Sequence, residues 1–147
     1  MPEKLQALGI QGPLVRQLKQ NGSIYLGERT IKLEEVSKRK PGQRFALVMD
    51  TRYCTNAVVL AKQVDTLVAE STFLNQHAAE AREYRHLTSA QAATIAQQAQ
   101  VKQLILTHFS PRYAESGDFV GEASEIFANV RAVKDGDCIN LQHHRDW

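Results

Sequence analysis

The chain has 147 residues, 43% of them apolar and 23% charged, with a formal net charge of +2. That suits one domain with enough apolar content to bury a core, and nothing in the length calls for a second. No stretch nears the roughly 18 consecutive apolar residues of a membrane span, and the N-terminus lacks the basic-then-apolar order of a secretion signal, so the expectation is a cytoplasmic protein with no membrane partner.

The small net charge hides an asymmetry. Residues 1–44 hold nine Lys and Arg against four Asp and Glu, whereas residues 45–147 hold nine against twelve. The Arg16/Lys19 helix face and the run Lys38, Arg39, Lys40 could meet phosphates, although so short a run is ordinary for a solvated loop. Cys54 and Cys138 form no C-x-x-C pair and are expected to pack as small apolar groups.

In chain order, Pro2 to Leu8 reads as a helix stopped by Gly9, and Pro13 opens a second helix stopped by Asn21 and Gly22. The runs 23–26 and 29–32 flank Gly27 and Glu28 as a hairpin, and Pro41 with Gly42 marks a turn. A strand at 44–49 leads to a helix at about 55–63, where Ala57, Leu60, Ala61 and Val64 make one stripe at helical spacing. A strand at 66–69 is followed by a helical segment at 77–84. Thr88 and Gln91 then have the capping-box spacing of a helix whose Ala92, Ile95, Ala96 and Ala99 share a face. After a strand at 102–107 come a short helix near 119–127 and two weak strands, 130–133 and 138–141. Alternating strands and helices argue an α/β fold. The adjacent His143 and His144 lie in a polar tail and are set aside as ligands.

Asp50, Glu70 and His108 each end a strand-like apolar run, and His86 sits at the mouth of a helix. In α/β folds catalytic groups gather outside the carboxyl ends of neighbouring strands. One acid or histidine at a strand end is ordinary, so it is the convergence of two carboxylates and two imidazoles that points to a site. For a hydrolytic metal centre, Asp50 could bridge two cations while His108 offers a neutral nitrogen. Glu70 beside His86 would orient an imidazole that donates a proton to a leaving alkoxide, and Arg112 offers a planar fork to a phosphate.

These residues carry a resemblance. Met49 to Arg52, Glu70 to Phe73, His86 to Thr88 and Leu106 to Tyr113 resemble, in order and spacing, the C-terminal motifs of ribonuclease Z, the tRNA 3′-processing endonuclease of the metallo-β-lactamase superfamily. Ala7 to Pro13, with Leu18 and Lys19, looks like the segment that follows the family's tRNA-gripping arm. The resemblance implies the C-terminal half of a metallo-β-lactamase-type αββα sandwich: a single partial domain over 1–147, with a basic lead-in 1–43, an α/β core 44–142 and a tail 143–147. It implies that Asp50 is the bridging metal ligand and His108 a ligand of one zinc. Glu70 and His86 become the proton-transfer couple, with Arg112 beside the scissile phosphate. Ala69 and Leu87 stand where the family's His-Glu-Ala-Thr and His-Ser-Thr motifs have His and Ser.

The His-x-His-x-Asp-His motif that supplies most ligands of the family's two zinc ions is absent from this sequence. The first expectation is therefore part of an endoribonuclease acting on precursor tRNA, inactive alone, completed by a separate N-terminal half and, by resemblance, homodimeric around Gly12 to Lys19. Two other readings stay open: a non-catalytic interaction module or remnant of the fold, and another metallo-β-lactamase-type hydrolase or phosphodiesterase.

Overall fold

Proline and glycine punctuate the N-terminal residues into short elements. Helices α1 (Pro2–Ala7) and α2 (Pro13–Asn21) both begin on a proline, whose fixed φ suits the first helical turn. Gly22 ends α2 in the left-handed region at φ 75°, and its N–H reaches Leu18 O at 3.0 Å. Strands β1 (Ser23–Leu26) and β2 (Arg29–Lys32) pair antiparallel across a two-residue turn in which Gly27 takes φ 63°. A positive φ at the first turn position matches the right-handed twist of a hairpin and favours glycine there. A single helical turn, α3 (Leu33–Val36), follows. Ile10, Leu18, Ile24, Ile31 and Val36 form the core of these elements. The structure, a computed structural model, describes residues 1–38 and 42–141, and divides into two compact units, Met1–Gly42 and Gln43–Trp147. Arg39, Lys40 and Pro41 of the basic run and expected turn, and the tail from Gln142, lie outside the described residues.

The second unit is a four-stranded parallel sheet of β3 (Phe45–Val48), β4 (Thr66–Glu70), β5 (Gln103–Thr107) and β6 (Val130–Ala132), in that spatial order. Parallel neighbours need crossovers, which are supplied by α4 (Thr55–Leu60), by α5 (Ala78–Tyr84) with α6 (Ser89–Gln98), and by α7 (Gly117–Ser124). Helix α6 packs on β4 and β5 between α4 and α7. Ala92, Ala93 and Ala96 of this helix, and Ala99 at its C-cap, are all buried, short side chains that let the helix approach the sheet. They meet Ala46, Val48, Leu67, Ala69, Leu104 and Leu106, alternate residues of three strands on one sheet face. On the other face of edge strand β3, Phe45 and Leu47 are 52% and 53% exposed. Among the described residues no helix is long and apolar enough to cross a membrane.

Thr88 caps α6 as expected, accepting from Gln91 N–H while the Gln91 amide accepts from Thr88 N–H, each at 3.1 Å. Three expectations fail. Helix α4 stops at Leu60, and Gln63 turns left-handed at φ 54° with its N–H on Ala99 O; Ala61 and Val64 stay inside while Leu60 turns outward, 61% exposed. Residues 138–141 form no strand: β6 ends at Ala132, and a turn in which Asp137 N–H meets Lys134 O lies between. Cys138 is exposed, whereas Cys54 packs against the core as expected.

Asp65 fastens the start of β4. Its Oδ2 accepts from Arg44 N–H at 2.7 Å, its own N–H donates to Arg44 O at 2.8 Å, and Oδ1 lies 2.7 Å from Lys102 Nζ. The Lys102 ammonium, then the Arg44 N–H, hold this carboxyl below the ordinary carboxylate range. A lowered carboxyl stabilises the fold above its unfolded value of about 3.9, and that contribution fades as pH falls through the folded value. Lys102 is mostly in solvent, which keeps the contribution small. Asp65→Asn is expected to lower stability in urea by about 1 kcal/mol near neutral pH, with the gap from wild type closing at about pH 2.

Candidate metal and proton-transfer site

Register brings the strand ends together. Val48 pairs with Ala69, Ala69 with Leu106, and Glu70 with Thr107, so Asp50, Glu70 and His108 emerge along one carboxyl edge. Asp50 and His108 both take left-handed backbone, φ 48° and 59°. Asp and His tolerate that region better than most residues, at a cost on the order of 1 kcal/mol each, and the sharp bend turns each side chain off its strand.

Glu70 is the centre of the network. Its carboxylate is fully buried and receives four hydrogen bonds: Thr51 N–H to Oε1 at 2.5 Å, and to Oε2 the Thr72 hydroxyl at 2.7 Å, His86 Nδ1 at 2.9 Å and Leu87 N–H at 3.1 Å. Burying a carboxylate is costly unless its lone pairs are met, and here all the partners are donors. Thr72 has one hydroxyl hydrogen, and it goes to Glu70. Its Oγ1 therefore accepts from Nδ1 of His108, 2.9 Å away. Both imidazoles then carry a proton on Nδ1, and Nε2 of each is left outside these hydrogen bonds.

His86 arrives from a different element. Helix α5 ends with Arg85 left-handed at φ 64° and His86 N–H on Ala81 O, a reversal that brings the chain back toward the sheet. There Phe73 N–H meets Leu87 O, Ser89 N–H meets Phe73 O, and Phe73 bridges Thr88 in parallel. These bonds stitch the His86 loop to the extension of β4 that carries Glu70.

Asp50 Oδ1 lies 3.4 Å from His108 Nε2, and the His86 and His108 rings are 5.5 Å apart. One donor atom each from Asp50, His86 and His108 falls within 4.8 Å of the others. Two imidazole nitrogens and a carboxylate oxygen are the donor types of a zinc-class ion, so the residues present fit a metal. Exposure rises from Glu70 at 0% through His86 at 25% and His108 at 40% to Asp50 at 71%. Arg112 lies nearby but engaged: Nη1 is 3.2 Å from Glu80 Oε1, and Cζ sits 5.1 Å from the Phe73 ring, itself 6.3 Å from the His86 ring.

No protein-family model matches the chain. Against curated proteins it is 48% identical to ribonuclease Z of Nocardia farcinica over 133 residues and 41% identical to that of Chlamydia trachomatis over 135. These alignments cover 90% and 92% of this chain. The likeness to ribonuclease Z extends over nearly the whole of this chain. It spans less than half of those relatives, 44% of each, in their C-terminal part. Among solved structures, the metallo-beta-lactamase fold protein YhfI of Bacillus subtilis superposes with a TM-score of 0.56 at 24% identity, over 62% of this chain and 38% of that one, which establishes the fold.

Two contributors to this network, Thr51 and Thr72, are not among the sequence candidates. Thr72 had a signal, since it lies two residues beyond Glu70 on the same side of an extended segment. Thr51 acts through its backbone N–H, which almost any residue offers.

Two substitutions probe the network. Glu70→Gln sets an NH2 group against N–H or O–H donors in either amide orientation, and is expected to cost about 3 kcal/mol in urea denaturation. Thr72→Val removes the acceptor for His108 Nδ1–H. Ring 15N shifts should report the Nδ1–H form in wild type and a mixture of tautomers in the variant, whereas an unchanged tautomer would show that Thr72 does not set it.

Proposed function

We propose that this chain is the C-terminal part of a zinc-dependent endoribonuclease that hydrolyses the phosphodiester at the 3′ end of precursor tRNA and leaves a 3′-hydroxyl on the tRNA. The observation that carries this reading is the Glu70–His86 couple, 2.9 Å between Nδ1 and Oε2, set beside Asp50 and His108 within a sequence so similar to ribonuclease Z. In the complete site Asp50 and His108 would be the residues of this chain that hold zinc. The metal, when bound, supplies an activated water and a clamp on the phosphate. His86, fixed at Nδ1 by Glu70, holds a proton at Nε2 for the leaving 3′-oxygen, and Arg112 leaves Glu80 to meet the phosphate. The working form is a cytoplasmic homodimer.

Alone the chain is inactive, because Asp50 and His108 supply too few ligands for the two-metal site. The half-exposed Phe45 and Leu47, on the face of β3 turned away from α6, favour completion by an N-terminal half, since sandwich sheets pack through such apolar faces. The same exposed face is compatible with the second reading, an interaction module without catalysis.

Precursor-tRNA cleavage by the purified chain, with and without an N-terminal half bearing the His-x-His-x-Asp-His motif, separates these readings. Cleavage is expected only in the mixture, and His86→Ala in the mixture should slow it by about 100-fold or more. Activity of the chain alone would remove the claim of incompleteness. A complex of the two halves that forms but does not cut would favour the non-catalytic module.

A further inference from the structure

A carboxylate holding an imidazole at Nδ1 is also the usual outer partner of a metal-ligating histidine, because it fixes the tautomer and aims Nε2 at the ion. By that criterion His86 and His108 are alike. Nδ1 of His86 is held by Glu70 at 2.9 Å, and Nδ1 of His108 by Thr72 at 2.9 Å, whose hydroxyl donates to the same carboxylate at 2.7 Å. Glu70 cannot itself be a ligand, since it is fully buried and all four of its hydrogen bonds are to protein donors. Asp50, the most exposed of the group, is free to close on the two free nitrogens and already lies 3.4 Å from one of them.

We propose that this chain by itself binds one zinc-class divalent ion through Asp50, His86 and His108, with His86 as the third protein ligand. Three protein donors with one position open to water is a complete mononuclear zinc set. Two imidazoles among three donors disfavour magnesium and calcium, which take oxygen ligands. The inference rests on the reading of this edge as a metal site, and it gives His86 a second use. Where a complementary half supplies the remaining ligands, Nε2 of His86 is released for proton transfer; in the chain alone that nitrogen fills the gap. The two uses exclude each other, because one lone pair cannot hold a metal and a proton together.

The test uses the full chain with His143→Ala and His144→Ala, which removes the tail histidines, labelled with 15N-histidine, stripped with chelator and titrated with zinc alone. The ring nitrogens of His86 and His108 should shift together and saturate at one ion per chain. In competition with a chromophoric chelator, His86→Ala should weaken zinc binding at least about tenfold. His77→Ala, whose ring meets the Tyr113 hydroxyl, should leave it unchanged. Because the ring shifts are read without altering position 86, they stand even if His86→Ala folds poorly. Saturation at His108 with His86 unmoved, no binding at all, or equal affinity in folded His86→Ala would overturn the proposal. None of these outcomes bears on tRNA cleavage by the combined halves, so this inference and the proposed function can fail separately.

Discussion

The site depends on one buried carboxylate. Glu70 accepts from the Thr51 backbone, the Thr72 hydroxyl, His86 and the Leu87 backbone, and so ties together the loop after β3, the extension of β4, the loop before α6 and, through Thr72, the residue that follows β5. Each donor compensates part of the desolvation cost of the charge. The compensation works only while all of these segments hold their places, which makes the buried charge a device for positioning. Asp50, His86 and His108 are each one residue or one hydrogen bond removed from it.

The sheet supplies what Glu70 cannot. Parallel pairing in sequence order sets the ends of β3, β4 and β5 side by side, and the alanine-rich face of α6 lies close enough to keep those strands registered. Left-handed backbone at Asp50 and His108 then bends the chain off each strand. Such strain persists only where the surroundings over-determine it. Here the surroundings include Thr51 N–H on Glu70 after the first bend and Ser110 N–H on Thr72 O after the second.

Much of this was legible in the sequence, for definite reasons. Strand ends carrying Asp50, Glu70 and His108 showed because apolar runs stop abruptly at a polar residue, and the cap of α6 showed because Thr88 and Gln91 have a fixed spacing. Leu60 misled because its periodicity assumes a helix through residue 64, whereas the helix ends at Leu60 and the left-handed Gln63 turns its N–H to Ala99 O. Residues 138–141 misled because a short, mostly apolar run becomes a strand only where a neighbour offers backbone partners. The convergence of His86 on Glu70 could be named from motif resemblance. The way it is achieved, a left-handed Arg85 and a bridge from Phe73 to Thr88, is a tertiary fact with no local signature.

A site held by hydrogen bonds within the protein differs in kind from one held by its metal. Where ligands are disordered without the ion, binding must offset their ordering entropy, and removing the metal unfolds the site. Here both imidazoles are held by hydrogen bonds to Glu70 and Thr72, so much of that cost is met on folding. The same strand that delivers Asp50 also carries the half-exposed Phe45 and Leu47 on its other face. On the proposed reading, whatever covers that face is brought beside Asp50 by the same contact. Completing the hydrophobic layer and completing the ligand set then become one event, and the protein-held half of the site gives the incoming ligands a fixed geometry to meet.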